Sequence, residues 1–391
     1  MPADKSAARV AIACGGTGGH LFPGIAVAEE LKQHGCAVTL LISPKEVDQQ
    51  AVKSATGMDI ATLPAVGLTG GRRLAFARGF LRSFRVARGI FRNEPPDAVL
   101  AMGGFTSAPP LLAARLKGVP TFLHESNTVP GRANRWLSWL VNQAFVGFGE
   151  AAPQLHARST RVTGTPCRAQ IKPADADACR QALGLDPQRP VLLVVGGSQG
   201  ASGINQLVID ALPFLARELP GLQLFHLAGG NDATKVEQAA RAANVKAIVH
   251  SFFADMHLAL GAATLAVSRA GASSLTELAA MRLPSILVPY PAATDNHQHS
   301  NALAFEKTGA AILMEQRAAT GEQLARRINE LVASAERREA MRAALDQWHT
   351  PRAAEQIAES IMHVVVARRR TAGTTIAAPP NGGHQHQSVR T

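Results

Sequence analysis

The chain reads as an α/β protein built from two Rossmann-like domains facing a cleft. Three observations predict this. The length is 391 residues, short apolar runs ending in Gly, Ser or Pro alternate with longer helical patterns, and a glycine-rich turn follows the first apolar run of each of two series. Such a length suggests about two domains. Apolar strands alternating with helices build a parallel sheet covered on its faces.

In chain order, apolar runs at 10–13, 38–42, 99–101, 121–123 and 144–146 read as strands of a first unit. After the Pro- and Asp-containing stretch at 166–190, a second series follows at 191–195, 222–227, 247–249, 265–267 and 285–288. These runs give domains over 1–165 and 166–350, with a helix over 351–367 expected to pack back on the first domain. A disordered basic tail is expected over 368–391. Its far end is rich in Thr, Pro, Gly, His and Gln and has almost no apolar face to offset the entropy of ordering.

Apolar residues at 46% and charged residues at 18% match ordinary globular usage, so most of the chain can bury a core. Forty Lys and Arg against 29 Asp and Glu leave a formal charge of +11, which points to an anionic partner. The four cysteines, Cys14, Cys36, Cys167 and Cys179, form no CxxC pair. That spacing argues against a zinc site or a disulfide scaffold and fits a reducing cytoplasm. No run approaches the roughly 18 apolar residues that span a bilayer, and residues 1–8 lack an export signal's basic start and apolar stretch. The chain is therefore expected to be neither exported nor transmembrane.

Ligands of doubly wound sheets sit beyond the carboxyl ends of the strands, where Gly admits close backbone approach and helix N-termini attract anions. GGTGGH (15–20) and GGSQG (196–200) are both placed for that. A dehydrogenase is disfavoured, because GxGxxG fails at Leu21 and no acid follows the second strand, where Ser43-Pro44-Lys45 stands. An NTPase loop is disfavoured because the second turn lacks GK[ST]. A third anion site is formed by SRAGASS (268–274) running into a helix over 275–281. Ser274 and Glu277 have the spacing of a capping box. In the functional reading, Glu277 instead accepts two ribose hydroxyls side by side.

Together GGTGGH (15–20), MGGF (102–105), HESN (124–127), GTPCR (164–168), GGSQGA (196–201), SRAGASSLTE (268–277) and DNHQ (295–298) resemble the MurG family in motif and order, over about 8–365. That family has the GT-B fold and transfers N-acetylglucosamine from UDP to the muramyl sugar of undecaprenyl-diphosphate-linked pentapeptide, with inversion. The resemblance implies that Thr17, Gly18 and Gly19 approach the donor sugar and diphosphate, with Asn127 and Arg168 also facing the donor. Ser198 would lie near the diphosphate, Phe253 by the uracil and Gln298 at the sugar. Ala272, Ser273, Ser274, Leu275, Thr276 and Glu277 would grip diphosphate and ribose. His20 belongs to the acceptor side. The family usually has HEQN and GNP where this chain has Ser126 and Thr165, and His297 is given no role.

An inverting transfer needs one proton taken from the attacking hydroxyl and diphosphate charge stabilised, which helix dipoles and backbone N–H groups can do without metal. No cofactor and no metal are expected, and Asp175-Ala176-Asp177 reads as acidic first-turn residues of a helix. His20 can be neutral near pH 7 and serve as base or position the acceptor; Glu125, acting through a water, is the alternative.

Between Gly67 and Arg92 lie seven arginines (Arg72, Arg73, Arg78, Arg82, Arg85, Arg88 and Arg92) and no acid. Phe76, Phe80 and Phe84 recur at i, i+4 and i+8, so with Arg82 and Arg85 they read as an amphipathic face for an anionic bilayer. A core-facing aromatic stripe with solvated arginines is the competing reading. The expected partners are UDP-N-acetylglucosamine, the lipid-linked muramyl pentapeptide and an anionic membrane surface. Nucleic acid is not expected, because no recognisable base-stacking module is present. The expected location is peripheral, on the cytoplasmic face of the inner membrane. The rivals are another GT-B UDP-sugar glycolipid glycosyltransferase, a sugar-nucleotide epimerase, and a non-catalytic basic binding module.

Overall fold

A computed structural model describes residues 7–52, 55–64, 73–197, 200–371 and 373. Strands β1 (Arg9–Ala13), β2 (Ala37–Ile42), β3 (Asp59–Thr62), β4 (Ala98–Ala101), β5 (Thr121–Glu125), β6 (Gln143–Val146) and β7 (Ser159–Val162) form a first sheet. A second holds β8 (Val191–Val195), β9 (Gln223–Leu227), β10 (Lys246–His250), β11 (Leu265–Ser268), β12 (Ser285–Leu287) and β13 (Ile312–Leu313). The orders are β3-β2-β1-β4-β5-β6-β7 and β10-β9-β8-β11-β12-β13, with every pairing parallel. Chain direction along each sheet reverses beside its first strand, β1 or β8, and there a crevice opens at the carboxyl ends.

The apolar runs mark the central strands, which are buried on both faces, and also β10, an edge strand that is at most half-buried. β3 and β7 carry no such run, and β13, inside the apolar stretch 310–314, is a strand that the expected series lacks. Asp59–Thr62 and Ser159–Val162 are edge strands that stay mostly in solvent, so they never had to be apolar.

One face of the first sheet packs Val10, Ile12, Leu40 and Leu100 against the helix Gly18–Gln33 and the C-terminal helix Ala353–Thr371. On that last helix Ile357, Ile361 and Val365, four residues apart, are buried, and each such burial contributes roughly 1.5–3 kcal/mol. The helix runs beyond 367, which corrects the expected start of the tail at 368. Arg368, Arg369 and Arg370 occupy its last turn, where cations suit the helix dipole. Arg369 is paired with Asp97 at 2.6 Å. Residues 374–391, the rest of the expected tail, lie outside the described residues.

The two halves touch through aromatic rings. Phe148, just after β6, lies 6.3 Å from Phe305 and 5.4 Å from Trp348 of the second half, and Phe305 stacks on Trp348. Where the chain crosses between halves, Gly164 (φ +80) lies so close to Thr350 that any Cβ would overlap that side chain. Only glycine satisfies both the conformation and the space.

Candidate active site

The turn after β1 is tied down by its own neighbours. Gly16 (φ +112) donates its N–H to Asp48 Oδ2 at 2.7 Å, and its carbonyl accepts from Lys45 Nζ at 2.8 Å. Thr106 Oγ1 donates to the Gly15 carbonyl. The same Asp48 oxygen, fully buried, accepts from Ser43 N and Oγ at 3.1 and 2.5 Å. Thr17 stays exposed, Gly18 is buried and Gly19 half-buried at the start of the helix Gly18–Gln33.

His20, in the first turn of that helix, lays its ring on Gly103 and Gly104, both at positive φ, where a Cβ on either would come within about 3.1 Å of the imidazole. This is why MGGF carries two glycines. His20 Nδ1 lies 3.2 Å from Thr17 Oγ1. Burial lowers the imidazole pKa below its ordinary value, against the opposing charges of Glu125 and Asp48, so the ring is neutral at pH 7.

Glu125, at the end of β5, is buried and saturated. Its Oε1 accepts from Asn127 N and Nδ2 at 2.8 and 3.0 Å, and its Oε2 accepts from Gly131 N and Asn134 Nδ2 at 2.9 and 2.8 Å. A carboxylate offers about four lone-pair sites, and all are used. The expected alternative of Glu125 as base through a water is therefore corrected: it anchors the loop that carries Asn127.

In the second half the helix after β11 begins at Ala272, with Gly271 as its N-cap. Ser274 thus lies inside the first turn, and the capping-box alternative for Ser274 and Glu277 falls. Ala272 and Leu275 are buried in the core, so what they can offer a ligand is backbone N–H, together with the half-buried Ser273 and Ser274. Thr276 Oγ1 donates to the Ala272 carbonyl at 2.9 Å. Glu277 Oε1 pairs with Arg168 at 2.7 Å, both side chains being little exposed. The Arg168 guanidinium also lies 4.4 Å from the ring centre of Phe22, on the first half's helix, and its Nε is buried with no partner. The helices Gly18–Gln33 and Ala272–Ala280 are in contact, so His20 and Glu277 sit on elements that meet between the halves.

The remaining expected residues are dispersed. Gln298 Oε1 accepts from Tyr290 N at 2.9 Å, at the carboxyl end of β12. Phe253 packs inward on Phe225 and His250, while its neighbour Phe252 is exposed. Ser198 lies outside the described residues. Asp175 caps the helix Ala176–Ala182 by accepting from Asp177 and Ala178 N–H. Among the described residues no group of three or more His, Cys, Asp or Glu side chains could hold a metal.

On the helix Arg73–Asn93 the aromatic stripe is divided. Phe84 leans on the core and lies under Arg88, and Phe76 and Phe80 are half-buried against each other at 6.4 Å. Phe84 is half-buried like Phe76 and Phe80, but of the three it is the one that packs on the core. Leu74, Leu81 and Val86 are exposed large apolar residues of that helix, and Arg82 and Arg85 are exposed beside them. Arg72 lies outside the described residues. No helix among the described residues is long and apolar enough to cross a membrane.

Residues 10–146 match the glycosyltransferase family 28 N-terminal domain and residues 191–358 its C-terminal domain. An Anaeromyxobacter dehalogenans UDP-N-acetylglucosamine–N-acetylmuramyl-(pentapeptide) pyrophosphoryl-undecaprenol N-acetylglucosamine transferase is 38% identical, over 95% of this chain and 99% of its own. A Desulforudis audaxviator protein of the same name is 37% identical, over 90% and 97%. The crystal structure of Acinetobacter baumannii MurG superposes with a TM-score of 0.69 at 28% identity, covering 91% of this chain and 99% of that one.

The chain belongs to the MurG family of glycosyltransferases. Its fold is GT-B, shared at 14% identity and TM-score 0.69 with a Neisseria meningitidis UDP-GlcNAc 2-epimerase. One of the two departures from the usual MurG motifs has a local account. Ser126 Oγ lies 3.2 Å from His124 Nδ1, and His124 Nε2 lies 3.1 Å from the Gly164 carbonyl. Because a carbonyl only accepts, Nε2 carries the proton and Ser126 donates to Nδ1. Burial lowers His124 to about 4, keeping it neutral. Thr165 instead leaves its buried Oγ1 without a partner. Two residues of the site escaped sequence reasoning, Asp48 and Asn301. Neither lies in any of the motifs, and only Asn301, three residues beyond Gln298 of DNHQ, sits near one.

Proposed function

We propose that the enzyme transfers N-acetylglucosamine from UDP-N-acetylglucosamine to the C4 hydroxyl of undecaprenyl-diphosphate-linked N-acetylmuramyl pentapeptide, with inversion. The observation that carries the reading is the meeting of the His20 turn with the N-terminus of the helix Ala272–Ala280, bridged by Arg168, which touches Phe22 of one half and Glu277 of the other. Diphosphate charge is held at the N–H groups of Ala272, Ser273 and Ser274 by the helix dipole, without a metal. Glu277 receives the ribose hydroxyls, and Asn127 and Gln298 face the sugar. In the tautomer that carries its proton on Nδ1, beside Thr17 Oγ1, His20 Nε2 takes the proton of the C4 hydroxyl as that oxygen bonds to the anomeric carbon and UDP departs.

In the same reading residues 1–165 form the acceptor and membrane side and 166–350 the UDP-sugar side. The contact of Gly164 with Thr350 supports a division there. Peripheral attachment at the cytoplasmic face of the inner membrane rests on the exposed Leu74, Leu81, Arg82 and Arg85. The test is transfer of radiolabel from UDP-N-acetylglucosamine to a polyprenyl-diphosphate-linked muramyl pentapeptide. A labelled lipid-linked disaccharide is expected. Labelling of a diacylglycerol acceptor alone, or epimerisation of the donor without transfer, would overturn the reading.

A further inference from the structure

Asn301 lies in the helix His297–Lys307 of the second half and is fully buried. Its Oδ1 accepts from Thr128 N and Oγ1 at 2.9 and 3.0 Å, and its Nδ2 donates to Asn127 Oδ1 and the Ala270 carbonyl at 3.0 and 3.1 Å. A primary amide offers two N–H groups and one oxygen with two lone pairs, and every one is used. The orientation is fixed by chemistry, since the Thr128 amide can only donate and the Ala270 carbonyl can only accept. Asn127 and Thr128 follow β5 in the first half, whereas Ala270 follows β11 in the second. One side chain therefore joins both loops that line the cleft.

The bonds also run as a relay. Asn301 Nδ2 engages Asn127 Oδ1, which leaves the Asn127 amide nitrogen to donate to Glu125 Oε1. We propose that Asn301 is a positioning residue that latches the two halves together and sets the orientation of the Asn127 amide; the second part rests on reading Asn127 as a donor-facing residue. The neighbouring ion pairs of Asp295 with Arg132 and Arg135 also cross the cleft, at 2.9 and 2.8 Å. Those arginines are 74% and 42% exposed, so their attraction is weak and screened by salt, whereas the buried amide is not.

The experiment compares Asn301→Ala, Thr128→Val and Asp295→Asn in the full chain by hydrogen exchange of the Thr128 amide, X-ray scattering in solution, and donor kinetics. In Asn301→Ala, Thr128 N–H loses its acceptor and should exchange about 10- to 100-fold faster, with a larger radius of gyration. The KM for UDP-N-acetylglucosamine should rise about tenfold while kcat changes less. Thr128→Val, which keeps the backbone donor, should shift each quantity the same way by less, and it decides the matter if Asn301→Ala does not fold. Asp295→Asn should leave Thr128 protected. Unchanged exchange and scattering in Asn301→Ala would overturn the latch, and faster exchange with an unchanged donor KM would overturn the orientation of Asn127. If the unmodified enzyme turns over no UDP-N-acetylglucosamine, the functional reading fails, while exchange and scattering still decide the latch.

Discussion

The turns after β1 and after β11 both lead from a parallel strand through glycine into a helix, yet they are built for different purposes. At Gly15 and Gly16 the backbone is consumed by protein: Asp48 takes the Gly16 N–H, Lys45 the Gly16 carbonyl and Thr106 the Gly15 carbonyl. A Cβ on Gly15 would overlap the backbone of Ile42 and Ser43. At Gly271 a Cβ would meet nothing within 4 Å, and the first-turn residues Ser273 and Ser274 are only half-buried. The lesson is that a glycine loop holds an anion only where its N–H groups are not already satisfied. A buried carboxylate behind the first turn makes that turn a rigid seat for His20, and the second is the turn proposed to hold the anion.

The sharpest way to break this comparison is His20→Ala. If the first turn exists to hold a proton acceptor, kcat should fall about 10²- to 10⁴-fold with the donor KM nearly unchanged. Because burial lowers the His20 pKa, the neutral, competent form persists as pH falls through imidazole's ordinary 6.5, and the ordinary enzyme should lose turnover only below it. A rate profile that already halves at or above 6.5 would remove His20 as the base.

Glu277→Ala addresses the second turn and should weaken donor binding about 10- to 100-fold, the loss expected for a hydrogen-bonded charged group. It also strips Arg168 of its partner in a little-exposed site, so the melting temperature should fall, and Glu277→Gln should restore most of that stability but not the affinity. Equal donor KM in both variants would return Glu277 to a purely structural role.

A pair of substitutions then separates the turns by stability. Asp48→Ala orphans the Gly16 and Ser43 donors and should lower unfolding free energy by about 1–3 kcal/mol in urea titrations. Gly271→Ala has space and an ordinary φ of −68, so stability should stay within about 1 kcal/mol while donor affinity falls. Similar stability losses in both would mean that the turns do not differ as described.

The smallest effect is expected at the surface helix. Leu74→Ser with Leu81→Ser should reduce sedimentation with anionic vesicles, and binding should weaken as salt rises, since each arginine near such a surface contributes about 1 kcal/mol. Phe84→Ser should instead destabilise the fold, because that ring packs on the core. Unchanged vesicle binding in the folded leucine variant would move the membrane contact elsewhere, with the exposed Trp136 and Trp139 the next surface to change.

The amino-acid sequence by itself determined what depends on neighbours along the chain. Continuous apolar runs specify the strands buried on both faces and the edge strand Lys246–His250, and the glycines at 16, 103 and 104 stand at positive φ. The motif set specifies the family. Edge strands such as Asp59–Thr62 left no trace, because an element half in water needs no apolar pattern. The Phe76, Phe80 and Phe84 stripe was visible, but which rings turn inward was not, since period alone does not say what lies across from a helix face. Only the tertiary structure decided the states of the site's polar groups. Four donors converge on Glu125 from Asn127 and Gly131 of the loop after β5 and from Asn134 of the helix that follows, Asp48 reaches Gly16 from 32 residues away, and Asn301 reaches Thr128 from 173 residues away. Whether a carboxylate is a free base or a saturated anchor depends on how many donors surround it, and those donors are assembled by packing.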